Sequence, residues 1–185
     1  MSRFNGPALP RRVVTGVRGG RSVVVSDGAV PNAHHYTAIP GMMTSIVYAT
    51  AATPLLPQDD GETAPPGLHV PPAPGETRLM IVTFPPDSEM THPGFDPAAA
   101  DAEQRTFIPG LAELFEPDAP GMHRTLTVDY DIVLDGEIWL ELDDGETTHL
   151  RAGDVAVQCG TRHAWRNKSD RTATMCFVLI GAVPR

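Results

Sequence analysis

From His123 to Leu134 two kinds of side chain alternate along the chain. The odd positions are His123, Thr125, Thr127, Asp129, Asp131 and Val133; the even ones are Leu126, Val128, Tyr130, Ile132 and Leu134. A period of two belongs to a β-strand, whose successive side chains point to opposite faces. One face is polar and the other apolar throughout. On a simple exposed sheet the polar face would be solvent and would carry Lys and Glu. His, Thr and Asp point instead to a polar interior. Asp135-Gly136 follows as a hairpin signal, and alternation resumes at Ile138, Leu140 and Leu142.

The rest of the chain reads the same way. Short runs rich in Val, Ile, Thr and aromatics, separated by Gly, Pro and Asp, predict strands over 12–17, 21–26, 44–50, 78–84, 125–134, 137–142, 147–150, 154–158 and 171–180. Many short strands with turn signals between them predict a sandwich or barrel. One stretch looks helical, 97–105 followed by 111–115. Asp96 suits the cap, Pro97 suits the first helical position, and Pro109-Gly110 breaks the stretch in two. Pro54–Pro74 holds seven prolines and several acidic residues. It cannot be a central strand, because Pro removes a ladder donor. It reads as an extended surface connection, able to cross to a neighbouring subunit, or as a loose loop.

Length and charge set limits. A chain of 185 residues is most simply one domain. A formal charge of −9 argues against a nucleic-acid partner, since phosphate binding needs clustered Lys and Arg. Cys159 and Cys176 are the two cysteines, too few for a disulfide framework. The first residues lack an apolar signal region, and no apolar run approaches the roughly 20 residues that cross a bilayer. A cytoplasmic protein is expected.

Later in the chain come Gly153-Asp154, Gly160, His163 and Asn167. Together with Gly121, His123, Thr125, Asp129 and Gly136, these residues resemble the two motifs of the cupin superfamily, in order. The resemblance implies an all-β double-stranded β-helix, or jelly-roll barrel. Strands and a Pro-rich arm would occupy 1–96, short helices 97–117 and the core motifs 121–181. It also implies a metal held by His123, Asp129 and His163, with Fe(II) favoured and Mn, Zn or Ni as alternatives. Two histidines and a carboxylate resemble the facial triad of non-haem iron sites. The chain departs from the family at Thr125, where a second histidine is usual, and at 158–160, where Gln-Cys-Gly replaces the usual turn. Thr125 would hold a metal-bound water or leave a position open for substrate.

Beside the ligands, Asp131 is a candidate general base if it reaches the cavity, or else an arginine partner. Trp165 shares the parity of His163 and is expected to line the pocket, with Trp139, Val155, Val157 and Phe177 supplying apolar walls. Tyr130 is expected between sheets. Arg124 and Arg166 either bind a substrate carboxylate or balance the surface. His34, His35, His69, His92 and His149 read as solvated histidines without a role in the site. The resemblance implies a metal-dependent enzyme acting on a small carbonyl, enol or carboxylate compound, as a lyase, decarboxylase or isomerase or as an Fe(II) dioxygenase. The alternative is a non-catalytic small-molecule-binding module. A homodimer is expected, since cupins often pair sheets between subunits.

Overall fold

β-Branched and aromatic residues favour pleated, half-buried backbone, and each run of them in this chain is a strand. The computed structural model describes residues 9–57, 64–65 and 67–185. Its strands are β1 (Arg11–Arg18), β2 (Arg21–Ala29), β3 (His34–His35), β4 (Met43–Thr50), β5 (Thr77–Phe84), β6 (Thr127–Asp135), β7 (Glu137–Glu141), β8 (Thr147–Arg151), β9 (Val155–Cys159), β10 (Ala164–Arg166) and β11 (Ala173–Gly181). All nine predicted strands are present. The short β3 and β10 are additional, because two or three residues carry no readable period.

The strands form a six-stranded sheet in the order β3-β4-β5-β11-β6-β9, a three-stranded sheet in the order β10-β7-β8, and the separate hairpin β1-β2. The two larger sheets share a core. Val133, Ala173 and Met175 from the large sheet meet Ile138 and Leu150 from the small one. This is the double-stranded β-helix that the motifs imply. Ile46, Met80, Val82 and Leu179 form a second cluster, closed by Ala64, Val70, Ile108 and Ala112.

Asp135-Gly136 is not a hairpin. β6 pairs with β11 and β9, whereas β7 pairs with β8 and β10. The dipeptide is a corner where the chain leaves one sheet for the other. Gly136 has φ +75, and a Cβ there would press on Ala173 Cα and Thr172 O, each at 3.0 Å. The hairpin lies one strand later, between β7 and β8, across Asp143–Gly145.

The helical reading holds in outline. α1 (Ser88–Thr91) is one turn, and α2 (Pro97–Phe107) starts where expected, with the Asp96 carboxylate accepting from Ala98 N and Ala99 N. Only Ala100 of α2 is buried, so the helix packs on the outside. After Pro109-Gly110 a single 3₁₀ turn, Ala112–Leu114, carries Ala112 into the core.

Two expectations from the first half need correction. The Pro-rich connection partly lies outside the described residues (58–63 and 66). Its described part is on the surface at Leu55 and Leu56, as expected, but farther on it covers the chain's own core: Ala64 and Val70 are buried, and Val70 N donates to Pro109 O. His34 is not solvated. It stacks flat on Phe107 and pairs with Glu103 at 2.8 Å. Burial pushes the Glu103 carboxyl up, but bonds from Thr37 N, Ala38 N, His34 and the Thr37 hydroxyl bring it down to about 2. This knot fastens α2 to the loop before β4.

β11 ends against the Pro-rich segment. Gly75 N donates to Gly181 O, and a Cβ at Gly181 would run into the Ala73 carbonyl. Gly181→Ala is expected to cost roughly 1–3 kcal/mol through overpacking, read as a lowered urea midpoint with unchanged slope.

Candidate functional site

The alternation from His123 to Val133 decides where the polar groups go. His123, Thr125, Thr127, Asp129, Asp131 and Val133 are all buried, whereas Leu126, Tyr130 and Leu134 are 58%, 44% and 50% exposed. The polar face is therefore the interior and the apolar face is the outside. Tyr130 is corrected accordingly: it stands on the outer surface rather than between sheets. Val155 and Val157 are also on the outside, at 55% and 58% exposure, because Gln158 and Ala156 are the β9 residues that face inward. Trp139 leaves the pocket as well. Ile138 takes the core position on β7, and Trp139 stacks on His149 at 4.1 Å. His149 in turn pairs with Glu137 at 2.8 Å, so it has partners that its place after a turn did not suggest. Phe177 does face inward, packed with both core clusters.

His123 and His163 meet. They form an isolated antiparallel bridge, with each backbone N–H donating to the other's carbonyl at 2.9 Å. Their rings lie 4.4 Å apart. Each Nδ1 lies 3.0 Å from a backbone carbonyl, Gly121 O for His123 and Thr161 O for His163. A neutral imidazole in that position donates from Nδ1 and keeps its lone pair on Nε2. Burial lowers the pKa of both rings, and the neighbouring His123 lowers His163 further, to about 4. Both are neutral at pH 7. Phe115 stands edge-on to His123 at 5.2 Å, and Trp165 edge-on to His163 at 6.1 Å. Trp165 also touches Phe177, at 5.8 Å between ring centroids.

The carboxyl groups lie further along β6. Asp129 is the cross-strand neighbour of Gln158 on β9 and Leu179 on β11; Asp131 is the neighbour of Ala156 and Phe177. Burial raises the Asp129 carboxyl to about 6, against a lowering hydrogen bond from Thr127. Burial and the adjacent Asp129 raise Asp131 to about 8. Asp129 Oδ1, Asp131 Oδ1 and Gln158 Nε2 are buried without a hydrogen-bond partner. A buried polar atom left unpaired costs about 1–3 kcal/mol, so three on one interior wall mark a place built for something other than packing. Gln158 Oε1, by contrast, accepts from the Thr161 hydroxyl. In the sequence, Gln158 is marked only as a departure from a turn motif. Counting by twos along β9 places it inward beside Asp129.

The residues expected to hold a metal do not gather. Among the described residues no three His, Cys, Asp or Glu side chains stand close enough to hold a metal ion. His123 and His163 present two nitrogens. Asp129 sits with Thr127 and Gln158, and the place of a further imidazole is Thr125, whose hydroxyl bonds to the Thr127 hydroxyl at 2.7 Å. This donor set does not fit a metal caged by three protein ligands.

Other named residues have structural roles. Arg166 bonds to Glu141 and to Pro120 O, so it does not reach inward. Arg124 is exposed. Asn167 holds a turn, donating to Phe84 O and Arg171 O. Arg162 precedes His163 and pairs with Glu116 and Asp143, at 2.6 and 2.8 Å. Cys159 is exposed and Cys176 half-buried, both as free thiols. No described helix is long and apolar enough to cross a membrane.

Strand order, inward polar face and the motif glycines together define a barrel of the double-stranded β-helix class. Residues 116–180 match the family model described as "Cupin domain". Phomopsin biosynthesis cluster protein D of Diaporthe leptostromiformis is 51% identical over 84 residues, 42% of this chain and 44% of that protein. The cupin-domain-containing oxidoreductase fogC of Aspergillus ruber is 29% identical over 181 residues, 91% of this chain and 72% of that protein. Among solved structures, a Cupin 2 conserved barrel domain protein from Salinispora arenicola aligns with 65% of this chain and 71% of its own, at 19% identity and a TM-score of 0.37. The matched segments span 44%, 34% and 52% of three curated relatives, about half of their length or less.

Proposed function

We propose that this chain is a cupin enzyme that moves protons on a small carbonyl or carboxylate compound inside the barrel. The observation that carries this reading is the unpaired trio Asp129 Oδ1, Asp131 Oδ1 and Gln158 Nε2 on the buried face of β6 and β9. Two carboxyl groups with separated pKa values make an acid and a base at one pH. At pH 7 Asp129, near 6, is mostly a carboxylate, and Asp131, near 8, is mostly protonated. Asp129 would take a proton from the carbon beside the substrate carbonyl. The electron pair would move into the carbonyl to give an enolate. The Gln158 amide and the Asp131 hydroxyl are the donors for its oxygen. Return of the proton to another carbon completes an isomerisation; loss of a neighbouring carboxylate as CO2 makes the same enolate in a decarboxylation. Trp165 and Phe177 form the apolar wall that keeps water out.

A second reading is favoured by one observation. The relative from Aspergillus ruber is named an oxidoreductase, and His123 and His163 keep two Nε2 lone pairs in the interior. On that reading the chain needs a metal that takes its remaining ligands from outside the protein, with Fe(II) first and Mn, Zn or Ni behind it.

One experiment separates the two. The protein is incubated in D2O with β-keto acids and α,β-unsaturated carboxylic acids, with and without a chelator, and deuterium incorporation is followed by proton NMR. Chelator-resistant exchange is expected, falling at least 10²-fold in Asp129→Asn. Exchange or oxygen uptake that stops with chelator and returns with Fe(II) would favour the second reading. No turnover under either condition, with tight binding of one of these acids, would favour a binding module.

A further inference from the structure

We infer that the barrel interior takes an uncharged carbonyl compound with an N–H beside the carbonyl, an amide, and turns carboxylate anions away. The inference rests on the proton-transfer reading for the place of the site and narrows the substrate class of that reading. It leaves isomerisation, since loss of CO2 needs a substrate carboxylate. The juxtaposition that carries it is Asp129 beside Gln158. The two are cross-strand neighbours on β6 and β9, and Cβ atoms in such a pair stand about 5 Å apart. Asp129 Oδ1 and Gln158 Nε2 are both buried and unpartnered, an acceptor and a donor side by side.

Hydrogen bonding selects the group. The Thr161 hydroxyl donates to Gln158 Oε1, which leaves Nε2 as the free end of the side chain. An amide substrate answers both atoms from one group: its carbonyl oxygen accepts from Gln158 Nε2, and its N–H donates to Asp129 Oδ1. The Nε2 lone pairs of His123 and His163 are two further acceptors in the interior. A carboxylate brings acceptors only. It would satisfy Gln158 and set its second oxygen against the Asp129 oxygen, so the same pair of atoms selects for one ligand and against the other. An ester would satisfy Gln158 and leave Asp129 without a donor.

Charge acts in the same direction. Asp131 follows Asp129 on the inward face, and its Oδ1 is also unpartnered, so an anion would enter beside two carboxyl groups. The arginines of the barrel are engaged elsewhere. Arg78 is buried in the same row as Asp129, with Leu179 between them, and its guanidinium donates to His69 O, Thr77 O and Glu76. Arg162 pairs with Glu116 and Asp143, and Arg166 with Glu141. Arg124, Arg151, Lys168 and Arg171 are exposed. Two like charges about 6 Å apart, at an effective dielectric of about 20, repel enough to weaken binding roughly 100-fold.

Isothermal titration calorimetry at pH 7.5, with a chelator present, tests this with three compounds of one skeleton: acetoacetamide, methyl acetoacetate and acetoacetate. The amide is expected to bind the wild-type chain about 10-fold tighter than the ester and about 100-fold tighter than the acid. Asp129→Asn removes the charge and is expected to narrow the amide-to-acid ratio to about 10-fold or less. Gln158→Leu is expected to weaken amide and ester alike by about 10-fold, with circular dichroism unchanged in both variants. Acetoacetate binding as tightly as acetoacetamide overturns the inference, as does failure of all three compounds to bind. Equal binding of ester and amide overturns the part assigned to the N–H. A ratio unchanged in Asp129→Asn overturns the part assigned to Asp129. Deuterium exchange at the carbon between the two carbonyls, measured on the same samples against the spontaneous rate, separates the inference from the reading it rests on. The expected binding order without enzyme-dependent exchange overturns proton transfer and upholds the inference; exchange with acetoacetate bound best does the reverse.

Discussion

Asp131→Asn is expected to flatten the dependence of stability on pH. The native carboxyl is raised by burial and by Asp129 to about 8, far above its value in an unfolded chain. Between pH 4 and 8 the native protein therefore binds a proton at Asp131 that the unfolded chain has released. Stability contributed by that group is fully present below the unfolded pKa and is lost as pH rises toward 8. Asp129 acts in the same direction over the lower part of the window, up to about 6. Asn keeps the shape and cannot ionise. Each pKa unit corresponds to about 1.4 kcal/mol, so the loss of stability from pH 5 to pH 8 should shrink by about 2 kcal/mol or more in the variant. Urea unfolding at pH 5, 6, 7 and 8 measures it, and parallel curves for wild type and variant would contradict the buried acid. The protonated carboxyl also gives an infrared C=O band at pH 7, which Asp131→Asn should remove.

Ile138→Ala is expected to be among the most damaging core truncations. Ile138 is fully buried and joins the small sheet to Val133, Ala173 and Met175 of the large one. The truncation removes three side-chain carbons from a contact that holds the two halves of the barrel together. Truncations of this kind cost roughly 2–5 kcal/mol, depending on how far the gap collapses. For a chain of this length that lowers the melting temperature by roughly 5–15 °C. Ile138→Val leaves most of the contact and should cost about 1 kcal/mol. A calorimetric scan of the pair compares the two, and equal melting temperatures would show that the sheets do not depend on this contact.

The barrel was legible in the sequence because strand parity is a local property. Counting by twos from His123 placed Thr125, Asp129 and Asp131 on one face, and that face is the interior. The same count on β9 puts Val155 and Val157 on one face and Gln158 on the other, and the pairing of Gln158 with Asp129 decides which is inside. Five residues between turns give a weak signal, and an apolar barrel wall is the ordinary expectation, so Val155 and Val157 look like the inward pair. Pairing between sheets was not legible. Asp135-Gly136 carries the same two residues in a hairpin and in a corner, and only the partners of β6 and β7 distinguish them. The separation of Asp129 from the two histidines was not legible for a similar reason. Motif spacing lists residues that share a face, and whether they share a point depends on bends and side-chain partners. His123 is drawn to His163 across the bridge, while Asp129 is held beside Thr127 and Gln158.

Arg162 gives the end of the barrel at which His163 stands a particular mechanical character. It precedes His163, and its guanidinium is bonded to Glu116 on the approach to β6 and to Asp143 in the β7-β8 turn. These two ion pairs raise its pKa and leave it permanently charged. The approach to β6 and the β7-β8 turn are thereby both fastened to the loop before β10 through one side chain. Widening on the His163 side would therefore have to break an Arg162 ion pair as well as the His123–His163 backbone bridge.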